Sequence, residues 1–210
     1  MYDVIVVGAR CAGSPTAMLL ARKGYRVLLV DRTNFPSDTV STHAIHNSGV
    51  ARLKSWGLLD RVVASGCPPV LKYVLHMGPI TLAGAPPAAD GVAEAHAPRR
   101  TVLDAILVEA AAEAGAEVRG GLFVEEILRD KDRAAGIRGR LNGGAVLTEK
   151  GRLVVGADGV HSVVARVVGA SLYNVQPSLA CYYYSYWSGV SLPDFHLHLV
   201  ESRFLLAVPT

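Results

Sequence analysis

The chain has 210 residues, 50% hydrophobic and 19% charged, enough apolar material for a core of ordinary globular size. Basic residues exceed acidic ones by only 21 to 18 and are dispersed along the sequence, so no nucleic-acid-binding stripe is formed. No apolar run approaches the roughly 20 residues of a membrane span, and the opening residues lead straight into a strand pattern, so no signal peptide is expected.

Residues 2–7 (YDVIVV) are a β-branched run of the kind buried in parallel sheets. The chain turns between Gly8 and Gly13, and a helix is predicted over about 15–23, capped by Ser14 or Gly13, with Pro15 in its first turn. Gly24 closes it, and residues 25–30 form a second strand ending at Asp31; a right-handed crossover makes the two strands parallel neighbours. Residues 44–65 read as two short helices broken near Gly57. Residues 70–83 alternate like sheet strands, and 84–100 read as a loop. A helix follows over 101–115, then a strand at 116–119. Residues 123–128, 135–141 and 145–149 look like a meander, with Asn142-Gly143-Gly144 as a hairpin turn. A separate buried strand at 152–155 leads into the turn Gly156–Gly159 and a helix from about Val160. From Ser178 on, the pattern is strand again, including the aromatic run CYYYSYWSG.

Two turns carry the chemistry. Gly8-Ala9-Arg10-Cys11-Ala12-Gly13 holds two of the three glycines of the dinucleotide fingerprint, those for the tight turn and for close helix–strand packing. Arg10 takes the middle place, where a Cβ obstructs the phosphate and a guanidinium offers charge pairing instead. The helix N-terminus brings the N–H groups of Arg10, Cys11 and Ala12 and a positive dipole end towards a pyrophosphate. Asp31 is placed to accept hydrogen bonds from adenosine ribose hydroxyls. Cys11 sits where a helix N-terminus lowers a thiol pKa, but at the phosphate position rather than a catalytic one. The second strand–turn–helix, LVVGADGVHSVVAR at 153–166, adds an acidic residue in its turn. Alone, Asp158 reads as a helix N-cap; beside the first unit, it makes both turns parts of one cofactor site.

Gly156-Ala157-Asp158-Gly159, the strand before it, and Ser162 and Arg166 after it resemble the "DG" motif of FAD-dependent monooxygenases of the para-hydroxybenzoate hydroxylase type. Geranylgeranyl-reductase-like flavoproteins and flavin halogenases are neighbours of that family. The resemblance implies an α/β fold: a Rossmann-like, glutathione-reductase-type FAD-binding domain at 1–66 and 101–171, with an inserted, partial substrate-domain β-sheet at 67–100 and 172–210. It implies FAD, with Asp158 and Gly159 beside the pyrophosphate. Arg100, at the start of a long helix, would contact flavin, with Arg99 as competitor. The backbone of Val124 would touch adenine. Arg32 stands beside the ribose-binding acid, as a ligand or as a solvated surface residue. NAD(P)H is the implied co-substrate, and O2 would hydroxylate an aromatic or apolar small molecule through a flavin hydroperoxide. Alkene reduction, halogenation, or flavin binding without turnover are the alternatives.

The family's "GD" turn, which contacts the ribityl chain, does not occur before Thr210, so the chain is expected to be truncated, with strand edges exposed. Three cysteines without CxxC spacing suit reduced thiols in a cytoplasmic protein. His43 and His46 form one pair and His196 and His198 another; neither brings a third ligand, so no metal site is expected. Ser41 to His43 follow the second strand, where the family's chain passes near the flavin ring. Tyr182, Tyr183, Tyr184, Tyr186 and Trp187 read as sheet residues, either packed or lining a substrate pocket. No catalytic acid or base is identified.

Overall fold

A computed structural model describes residues 1–177 and 179–210. Its elements in chain order are β1 (Tyr2–Val7), α1 (Gly13–Arg22), β2 (Val27–Val30), α2 (Asn47–Ser55), α3 (Leu59–Ala64), β3 (Pro69–Val70), β4 (Tyr73–Met77), β5 (Ile80–Gly84), β6 (Ala95–His96), α4 (Arg100–Glu113), β7 (Glu117–Arg119), β8 (Leu122–Asp130), β9 (Arg133–Leu141), β10 (Val146–Gly156), α5 (Val163–Val168), β11 (Phe195–Val200) and β12 (Arg203–Ala207). They gather into two compact units, Met1–Ser41 with Arg99–Ala170, and Thr42–Pro98 with Ser171–Thr210. Helices α2 and α3 thus cluster with the second unit, although the sequence places residues up to 66 with the first.

The first unit is mixed α/β. Its six strands run in the order β7-β2-β1-β10-β9-β8. The β1-α1-β2 unit is parallel as predicted, with Val4 to Val7 in register with Val27 to Val30. Alternate side chains leave opposite faces. Val6 points towards α1, its Cγ1 lying 3.2 Å from where a Cβ on Gly13 would stand. Ile5, Val7, Leu28 and Val30 join Leu122, Val124, Ile127, Ile137 and Val164 in one buried cluster. Strands apolar on both faces are what a covered parallel sheet requires.

One expected boundary disappears. The strands read separately at 145–149 and 152–155 are the single eleven-residue β10. Its first half, Val146 to Lys150, pairs antiparallel with β9; from Gly151 onward it pairs parallel with β1. The polar residues Glu149, Lys150 and Arg152 break the apolar pattern but not the backbone ladder. Gly151 marks the handover, because a Cβ there would lie 2.8 Å from Ile5 Cγ1.

In the second unit a four-stranded sheet has the order β12-β11-β4-β5, and β3 pairs with β6 as a two-stranded ribbon. Phe195, Val70 and Ala95 are buried together, with Tyr73, Leu197 and Leu206 packed against them. The strand pattern expected from Ser178 onward begins outside the described residues, and 181–189 form no strand. Tyr182, Tyr183 and Trp187 are exposed. Alternation selects a face only when a neighbouring strand supplies the ladder, and among the described residues none pairs with this run. No helix among the described residues is long and apolar enough to cross a membrane.

Candidate cofactor site

The site is built on the carboxyl ends of three parallel strands. From β1 the chain crosses through α1 to β2 on one side, while β10 lies on the other side of β1 and feeds α5. Such a point of divergence opens a crevice in which α/β sheets hold their ligands. The two glycine turns meet there directly. Ala157 N–H donates to Val7 O at 2.7 Å. A Cβ on Gly8, where φ is +103°, would lie 2.3 Å from Ala157 O, and one on Gly13 would lie 1.7 Å from Gly8 O. Glycine is therefore required at both positions by the packing of turn on turn and helix on strand. Gly159 differs: its φ is +84° with open space around it, so the backbone twist alone selects it.

Helix α1 starts at Gly13, two residues earlier than predicted, with Ala12 as N-cap and no capping side chain. Ser14 does not cap; its hydroxyl donates to Ala9 O at 2.9 Å and braces the turn from within. In the first turn Ser14 N–H donates to Arg10 O at 3.0 Å, Thr16 N–H donates to Ala12 O at 3.4 Å and Pro15 has no N–H, so backbone donors for an anion must come from Gly13 and the turn before it; no acidic residue stands in the first turn. Asp31 closes the other side. Its Oδ2 accepts from Ala9 N–H at 2.7 Å and its Oδ1 from Thr33 N–H at 2.8 Å, which leaves each oxygen a lone pair for a further donor. Arg32 beside it is exposed.

Arg10 does not hold its guanidinium free for a phosphate. It donates to Asp104 Oδ2 at 2.5 Å and to Ser37 Oγ at 2.9 Å, and it stacks over Phe35. Arg100 grips the same carboxylate with two bonds, Nε to Oδ1 at 2.9 Å and Nη2 to Oδ2 at 3.0 Å. Asp104 is wholly buried, and two guanidinium groups against one carboxylate leave a net positive charge beside the first turn. Sequence reasoning missed Asp104. Its signal was present, since Arg100 and Asp104 are four apart on one helix face. The Cys11 thiol also faces this carboxylate, 3.5 Å from Oδ1. Burial, with Asp104 adding and Arg100 opposing, pushes the thiol up, not down as the helix terminus alone suggests.

Asp158 works inside the protein. Its Oδ1 accepts from Ser162 Oγ at 2.5 Å, and its Oδ2 accepts from the N–H groups of Val163 at 2.7 Å and Val164 at 3.2 Å. Ser162 in turn caps Ala165 N–H at 2.9 Å, which starts α5 at Val163 rather than Val160. Arg166 lies in the last turn of α5, where the helix dipole favours a cation. Val124 is buried in the core cluster, with its backbone against Gly139.

A model of the FAD binding domain matches residues 1–198. The chain belongs to this family of FAD-binding domains. A rifampicin monooxygenase of Rhodococcus hoagii is 33% identical over 178 residues, covering 82% of this chain and 35% of that protein. Digeranylgeranylglycerophospholipid reductase 2 of Methanopyrus kandleri is 30% identical over 174 residues, covering 80% and 40%. The structure of the myxobacterial chondrochloren halogenase matches with a TM-score of 0.81 at 23% identity, over 99% of this chain and 50% of that one, a likeness of fold. The chain thus spans 35–40% of the length of these two curated relatives. The donor set suits the family's cofactor: N–H groups and excess positive charge for a pyrophosphate, and a carboxylate with spare lone pairs for a ribose.

Within the second unit, His43 Nε2 lies 2.5 Å from Tyr186 Oη, and its ring stacks on Tyr186 and meets Tyr184 edge-on. These two tyrosines meet His43 yet stay exposed, at 49% and 38%, and Tyr182, Tyr183 and Trp187 are more exposed still. His46 Nδ1 bonds Tyr73 Oη at 2.7 Å. The expectation that His196 and His198 find no third ligand is corrected: β4 lies beside β11 and brings His76 against both.

Proposed function

We propose that this chain is the FAD-binding part of an NAD(P)H-dependent flavin monooxygenase that hydroxylates an aromatic or apolar small molecule with O2 in the cytoplasm. The observation that carries the reading is the direct packing of the two glycine turns, Gly8 against Ala157, at the carboxyl ends of β1 and β10 beside Asp31. Bound FAD would supply electron transfer from NAD(P)H and the activation of oxygen. The chain's own residues bind and orient. The turn that leads into α1, from Arg10 through Cys11 and Ala12 to Gly13, presents N–H groups to the pyrophosphate. Asp31 accepts from the ribose, Arg32 flanks that end, and the Val124 backbone borders adenine. Arg100, held in place by Asp104, stands on the flavin side. Asp158 and Gly159 fix the second turn through the α5 cap.

Titration of the purified chain with FAD tests this, read by quenching of flavin fluorescence, with FMN as the control lacking the adenosine half. Saturable FAD binding without FMN binding is expected. Asp158→Ala should lose more flavin than Asp31→Asn, because alanine frees three donors of the second turn while asparagine still accepts from Ala9 N–H. Equal flavin content in wild type and Asp158→Ala overturns the role given to that turn. The reductase relative favours a second reading, alkene reduction. NAD(P)H oxidation with O2 uptake and a hydroxylated product supports hydroxylation, and anaerobic saturation of an isoprenoid double bond overturns it.

A further inference from the structure

His196 and His198 are two apart on β11 and so share one face of the sheet. In the parallel pairing of β11 with β4, His198 is in register with His76, which places a third imidazole on that face. One ligand nitrogen from each ring lies within 4.8 Å of the other two, and all three side chains are partly exposed. His76 Nε2 is 3.1 Å from His196 Nδ1. Two nitrogens on a tetrahedral zinc with Zn–N bonds of 2.0–2.1 Å stand roughly 3.3 Å apart, so this pair is already at coordination spacing. On the far side of His76, Thr81 Oγ1 from β5 is 3.3 Å from Nδ1. A hydroxyl accepting the Nδ1 proton leaves Nε2 with its lone pair towards the cluster, the outer-shell arrangement that orients a metal-bound histidine.

We propose that His76, His196 and His198 form a binding site for a divalent transition-metal ion, zinc first, with a water completing the tetrahedron. An all-imidazole donor set suits Zn2+, Cu2+ and Ni2+ and rejects the oxygen-seeking Mg2+ and Ca2+. The ion takes the place of the proton shared by His76 and His196, and His196 then carries its proton on Nε2. The rings are nearly parallel, His76 and His198 stacking at 4.2 Å and 10°. Parallel rings cannot aim three lone pairs at one point, so binding turns them about χ2, a broad torsion in histidine. The site is separate from the flavin reading, and its test uses no flavin.

The metal-free 210-residue chain is titrated with ZnCl2 by calorimetry, with MgCl2 as control. One equivalent of zinc at micromolar Kd or tighter, and no magnesium binding, is expected. His76→Gln, His196→Gln and His198→Gln should each weaken zinc by at least about tenfold. Unchanged affinity in His76→Gln reduces the site to the His196–His198 pair and overturns the proposal, as does a full zinc equivalent on the triple variant. X-ray absorption of the zinc-loaded wild type reads the ligands without any substitution. Three imidazoles support the site, and sulfur scattering or fewer imidazoles overturns it.

Discussion

Replacing Asp104 by asparagine keeps the side-chain shape and removes the charge that holds two arginines. The carboxylate is fully buried, and it meets Arg10 at 2.5 Å and Arg100 at 2.9 Å. Breaking a buried ion pair by removing one partner costs about 3–5 kcal/mol, because the remaining charge is left uncompensated. Here the arginine side chains keep 25% and 13% exposure, so part of that charge returns to water. The amide oxygen also retains one acceptor. A loss of roughly 2–4 kcal/mol follows, and at about 2–4 °C per kcal/mol for a chain of this size the melting midpoint falls by roughly 5–15 °C. Thermal denaturation followed by circular dichroism measures it. Adding Arg10→Gln to Asp104→Asn should restore part of the loss, since one unpaired guanidinium is removed, and a double-mutant cycle detects that coupling. A single variant within about 0.5 kcal/mol of wild type, or strictly additive effects, would refute the view that Asp104 is the structural anchor of the site.

Gly13→Ala forces a Cβ to within 1.7 Å of Gly8 O, so the first unit should fail to fold, seen as loss of soluble protein and of the cooperative melt. Gly159→Ala meets only the cost of a left-handed residue, about 1–2 kcal/mol, and should remain folded. Equal behaviour of the two would show that space is not what selects Gly13. Burial and its bond to Glu117 push Tyr2 up to about 12. The folded state therefore holds this proton more tightly, and the stability it confers is complete below pH 10 and lost as pH rises from about 10 to 12. Tyr2→Phe should flatten that alkaline decline in urea titrations, and an unchanged slope would contradict the coupling.

The parallel β1-α1-β2 unit was legible because its information is local: a β-branched run, glycines at the turn, and an acid closing the second strand. The limits of reading arose where a residue answers to a distant neighbour. Glu149 and Lys150 look like the end of a strand, yet β10 runs through them, since β9 and then β1 supply its ladder. The aromatic run at 181–189 has the alternation of a strand, but among the described residues no strand pairs with it, and Tyr184 and Tyr186 meet His43 instead. In the site, Arg10 was read by its place in the turn, but its direction is set by Asp104, 94 residues away. Position along the chain predicts which backbone groups form the two turns; charge pairing across the fold decides where the long side chains point. The same distinction explains His76, silent in a sequence where His196 and His198 form the visible pair. Spacing within β11 fixes two imidazoles on one face, but only the pairing of β4 with β11, across about 120 residues of chain, supplies the third.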